Sequence, residues 1–252
     1  MKIPACIPVA RGARHCLTGH FGPTSRKLSL AAAMLGLILA SVVMPAQAQR
    51  HSSAPSICGD LTNGFGPFDY RKVRDDRLNM VERVHFTPIV EALIKGATTS
   101  GPGGDIDYTL RAFPNHHRAL LAVMSLGEKL KMDKVVGMTY PIECYFDRAV
   151  RFARDDAIAR MIYATYLGHQ GRIADAKAQL RAAEVAPENS AITFYNIGMV
   201  YADLKDYDRA LAQAHKAASM GFSQPALKAR LEQAGKWRDL PAASGSTAKA
   251  PD

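Results

Sequence analysis

The chain has 252 residues, and its 32 Lys and Arg against 23 Asp and Glu give a formal net charge of +9. Five of the basic residues, Lys2, Arg11, Arg14, Arg26 and Lys27, precede an apolar run over 28–43, and no acidic residue occurs before Asp60. Setting 1–48 aside leaves 204 residues with 27 basic against 23 acidic side chains and no dense Lys/Arg block, which argues against a nucleic-acid footprint or an anionic membrane surface.

Residues 1–48 read as a secretory leader. A basic start is followed by the apolar run, and Ala46-Gln47-Ala48 places small residues at the two positions a signal peptidase reads, so cleavage is expected after Ala48. The run is shorter than the about 20 residues of a membrane-spanning helix. Membrane association is therefore expected only if the leader is retained, and the periplasm is the expected compartment. Cys6 and Cys16 leave with the leader, whereas Cys58 and Cys144 remain. An even pair in an oxidising compartment is expected to form a disulfide, against the alternative of two separately buried thiols.

The region 49–113 carries no repeat and is expected to form a small α+β element. Asn63-Gly64-Phe65-Gly66-Pro67-Phe68-Asp69-Tyr70 mixes turn residues with three aromatic rings, an ordered loop that either plugs one end of the repeat region or holds a ligand. Leu78, Met80, Val84 and Phe86 alternate as in a strand, although Leu78, Val81 and Val84 also fit a helical face. Thr87-Pro88 starts a short helix through Ile89, Val90, Leu93 and Ile94, which Gly96 ends. Ile106, Tyr108 and Leu110 then alternate with Asp105, Asp107, Thr109 and Arg111, the pattern of a half-buried strand.

From 114 to 240 the pattern becomes helical and periodic. Pro114-Asn115 opens a helix lined by Ala119, Leu120, Val123, Met124, Leu126 and Leu130. Ile142, Ala176 and Ala210 recur at a step of 34, as do Phe146, Leu180 and Ala214, then Ala149, Ala183 and Ala217, with Ala164 and Gly198 at the same step. Register held over such a distance requires structural duplication, and 34 residues is one two-helix unit. Phe194-Tyr195-Asn196-Ile197-Gly198, Tyr201, Asp206-Tyr207, Ala210 and Ala217 resemble the tetratricopeptide repeat family, although Phe222 stands near the family's terminal Pro. The resemblance covers 142–221 and implies a mainly α fold: about three helix A/helix B pairs, the first enlarged by the connection 131–140, then a capping helix carrying Trp237. Residues 241–252 form a small, polar tail.

In this family the helix A residues line a concave groove. By register the resemblance carries that role to Met161, Thr165, Gly168 and His169 in the second repeat, and to Tyr195, Asn196, Met199, Ala202 and Asp203 in the third. Asn196 matches a position where an amide holds a peptide backbone, while the paired Lys and Arg that clamp acidic C-termini are absent. The implied role is an exported scaffold or adaptor that takes a protein or peptide partner and needs no cofactor. A metal-dependent or ligand-binding enzyme centred on Asp105, Asp107 and His116, with His117 beside them, is the alternative, since carboxylates and imidazoles are metal ligands. Adjacent helical residues point about 100° apart, so His116 and His117 do not share one ion. No nucleophile elbow, phosphate loop, Cys-x-x-Cys or His-Glu-x-x-His occurs. A structural subunit of an envelope complex is a further alternative.

Overall fold

A computed structural model describes residues 57–239; the expected leader and the tail lie outside them. The described residues contain ten helices and no strand: α1 (Asp76–His85), α2 (Pro88–Glu91), α3 (Pro102–Ala112), α4 (His117–Leu130), α5 (Ile142–Phe152), α6 (Ala157–His169), α7 (Ile173–Glu184), α8 (Ala191–Asp203), α9 (Tyr207–Ser219) and α10 (Pro225–Gln233). The fold is mainly α, and no helix among the described residues is long and apolar enough to cross a membrane.

Both expected strands are helices. At α1, Asp75 accepts a hydrogen bond from the Arg77 N–H, Asp76 sits in the first turn, and Arg83 and His85 occupy the last. That charge order suits the helix dipole. Leu78 and Val81 are buried while Met80 is 42% exposed, which breaks the alternation; Val84 is exposed too, so the buried face of the helix is narrower than the spacing Leu78, Val81, Val84. At α3 the alternation misleads for a different reason. Ile106 and Leu110 are buried, but so are Asp105, Asp107 and Thr109, because each polar side chain finds partners inside. A helix buried on nearly every side shows no exposed face for a period to report. The α+β expectation for this region is therefore replaced by three helices.

The array from α4 to α10 is helical and repeat-like. α6 lies along α7 and α8 along α9, while α4, α6, α8 and α10 each touch the next in line, and α5, α7 and α9 each touch the helix that opens the following unit. The 34-residue register sits at these contacts: Ala149, Ala164, Ala176, Ala183 and Ala210 are fully buried, and Ala217 nearly so. Small side chains allow backbones to approach. A Cβ on Gly198 would stand 2.6 Å from Leu227 Cδ2 and 3.3 Å from the Ala210 carbonyl oxygen. Gly171 and Lys205, 34 residues apart, both adopt positive φ where α6 and α8 end. In the first unit the equivalent close approach joins Gly127 to Ile142. That pair is fifteen residues apart, against twelve for Ala164–Ala176 and Gly198–Ala210, so the first unit carries three extra residues.

The segment ahead of α1 straps the front of the array. Cys58 and Cys144 form a disulfide with Cα atoms 5.0 Å apart. Beside it the fully buried Arg148 donates to the carbonyls of Cys58 and Asp60 and stacks on Tyr140 at 4.4 Å. Phe65 and Phe68 pack with Phe113, Leu78 and Val81 in a small second core. The rings of Phe65 and Phe68 thus pack against α1 and the end of α3 rather than against the array itself, while Tyr70 reaches His116 and His117 at the start of α4.

Candidate interaction groove

Each unit of the array opens with a helix whose start is held by a side chain. Asp156 accepts the Ala159 N–H ahead of α6, and Ser190 and Thr193 form a capping box at α8. Burial pushes the Asp156 carboxyl up, yet hydrogen bonds from His117, the Ala159 N–H and Asn115 outweigh it and hold the group below the usual carboxylate range. These caps fix the rotation of α6 and α8 and so decide which side chains face outward.

Six residues before each close-approach position, at Leu121, Ile158 and Ile192, the helices α4, α6 and α8 present a large aliphatic side chain to solvent, with exposures of 46%, 41% and 51%. These three side chains occupy equivalent places on three helices that touch in succession, and Leu130, Ile173 and Val185 are further exposed aliphatic side chains of the same units. At the other end of the same helices, Thr165, His169 and Asp203 come together with Gly168, Val200 and Leu204 around a cavity of about 110 Å³ between α6 and α8. A further depression of about 330 Å³ lies between α4 and α6, lined by Met124, Glu128, Met132 and Tyr166. His169 Nδ1 lies 2.5 Å from Glu128 Oε1, and Arg230 pairs with Asp203, so neighbouring units are also linked by charge.

The remaining sequence-expected groove residues divide. Asn196 is exposed and Met199 half-buried on α8. Ala202 is buried. Met161 is only 7% exposed and belongs to the core. Tyr195 turns away from the α6–α8 cavity and packs on Phe222, ring centroids 5.3 Å apart, in a separate cleft of about 250 Å³ that also contains His215, Leu227 and Trp237. The apolar set escaped the family register because the three extra residues in the first unit displace Leu121 from the 34-residue step, although Ile158 and Ile192 keep it.

The expected metal ligands are dispersed and engaged. Asp105 accepts from the N–H groups of Ala97, Thr98 and Thr99, from both threonine hydroxyls, and lies 3.0 Å from His85. Burial raises the carboxyl, but these bonds outweigh it and hold it at about 2. Asp107 accepts from Tyr145, Arg111 and Thr139. Both His116 nitrogens are bonded, to Glu82 and to the Ala119 N–H. Lone pairs committed to N–H and O–H donors are unavailable to a cation, and no group of three metal-ligating side chains converges among the described residues.

No family model, curated protein or solved structure matches the chain.

Proposed function

We propose that the protein is an exported, non-catalytic interaction protein built on tetratricopeptide-like repeats, which holds an extended segment of a protein partner along α4, α6 and α8. The observation that carries this reading is the exposed set Leu121, Ile158 and Ile192, an aliphatic side chain at the same place on each of the helices α4, α6 and α8. Such a set suits a partner whose own side chains recur along an extended chain, and the cavity at Thr165, His169 and Asp203 supplies polar contacts at its edge. The Cys58–Cys144 disulfide supports an oxidising compartment and, with the leader pattern, an envelope location.

Ile192→Asp combined with Asn196→Ala alters two outward positions of α8 while leaving its core contacts. Burying one isoleucine contributes about 1.5–3 kcal/mol, so partner retention is expected to fall roughly tenfold or more with the thermal midpoint unchanged. Undiminished capture of the same partners by this variant would contradict the reading.

A further inference from the structure

His116 is fully buried at the N-terminus of α4. Its Nδ1 accepts the Ala119 N–H at 3.2 Å and caps the helix. A nitrogen that accepts carries no proton, so the proton resides on Nε2, which donates to Glu82 Oε1 of α1 at 3.0 Å. The two bonds select a neutral imidazole in one tautomer. Protonation would set an Nδ1–H against the Ala119 N–H, donor against donor; the Tyr70 ring, its centroid 4.2 Å away, attracts the cation and offsets part of that cost.

We propose that His116 is a proton-operated latch: mild acid uncaps α4 and releases α1 and α2 from the head of the helical array, while the disulfide keeps the preceding segment tethered. Charged groups face His116 from each packed element. Glu82 on α1 attracts a proton to His116, but Arg118 and His117 on α4 oppose it, and Arg118 is itself paired with Glu82 and with Glu91 of α2. Arg74, stacked on Tyr70, adds positive charge near Glu82. Burial is the largest influence and holds the imidazole below its ordinary value. His85, also on α1, holds Asp105 of α3 at 3.0 Å; that contact opposes release, so the variant used must act on His116 alone.

Linkage sets the sign. A base whose proton affinity drops on folding stabilises the fold fully above its unfolded value, about 6.5, and that contribution disappears as pH falls below it. Each pH unit between the unfolded and folded values weakens docking by up to about tenfold. Glu82, itself held below the usual range chiefly by His116, remains ionised throughout.

Amide hydrogen exchange on the full chain at pH 7.5 and 5.5, corrected for the intrinsic rate, tests this. Protection of α1 and the first turn of α4 is expected to fall by up to about tenfold more than that of α8 and α9. In His116→Asn, whose Oδ1 stands near the place of Nδ1 and can still cap α4 but which lacks the reach of Nε2 to Glu82 and does not titrate, that difference is expected to vanish. A parallel loss in all four helices, or the same differential loss in His116→Asn, overturns the latch. A wild-type NMR titration is independent of whether the variant folds: the His116 ring is expected to protonate below pH 6.5 and together with loss of α1 protection, whereas protonation without opening overturns it.

Discussion

Single side chains in the front of the molecule do structural work that their chemistry would equally allow for catalysis. Asp105 is the sharpest case. Its carboxylate gathers the backbone of 97–99, two threonine hydroxyls and His85, so it organises the connection between α2 and α3. Asp105→Asn keeps the shape and removes the charge those donors converge on, and is expected to cost about 2–3 kcal/mol. Since its folded value is depressed to about 2, the contribution is complete above the unfolded value near 3.9 and is lost as pH falls from there toward 2. Denaturation curves between pH 5 and 2 are expected to converge for wild type and Asp105→Asn; a constant gap would contradict the assignment. Nothing in residue type distinguishes a carboxylate saturated by backbone donors from one open to a metal, which is why the sequence left both readings of Asp105, Asp107 and His116 standing.

At the scale of elements, legibility followed the packing. The 34-residue register was readable because Ala149, Ala164, Ala176, Ala183, Gly198, Ala210 and Ala217 all lie where helices approach closely, and sterics forbid larger residues there. The strands expected at α1 and α3 were misread because short alternations are ambiguous and α3 hides polar residues as fully as apolar ones. Register alone does not reveal that Met161 is buried in the core or that the half-buried Tyr195 packs on Phe222. The first unit hides its register behind three extra residues, and the pairing of Gly127 with Ile142 is directly testable. Gly127→Ala gains up to about 1 kcal/mol in helix propensity, but its Cβ runs into Ile142 Cδ1, and overpacking typically costs about 1–3 kcal/mol. A net loss in thermal stability is expected, largely recovered in the double variant with Ile142→Val, which lacks that Cδ1. Strict additivity of the two substitutions would show that the residues do not pack together.

At the scale of the whole molecule, a strap and an array are joined by one covalent bond, by the buried Arg148, and by the further links Arg151 to the Gly59 carbonyl and Arg71 to Asp155. The disulfide spans a separation of 86 residues, a loop whose closure contributes about 4 kcal/mol in the chain-entropy model, and Arg148 holds the same strap through the carbonyls of Cys58 and Asp60. Chemical denaturation of the reduced protein is expected to show a loss of up to that size, with α6–α9 the last to unfold; an unchanged midpoint would mean the strap adds nothing to the array. Under the proposed function the partner lies on the outward face of α4, α6 and α8. A photoreactive side chain placed at 158 or 192 in the native envelope, compared with one at the exposed Ala212 on α9, tests that claim most directly. Discrete adducts of one partner from 158 and 192, and none from 212, are the expected result. The same adduct from 212, or no adduct from either groove position, would contradict it.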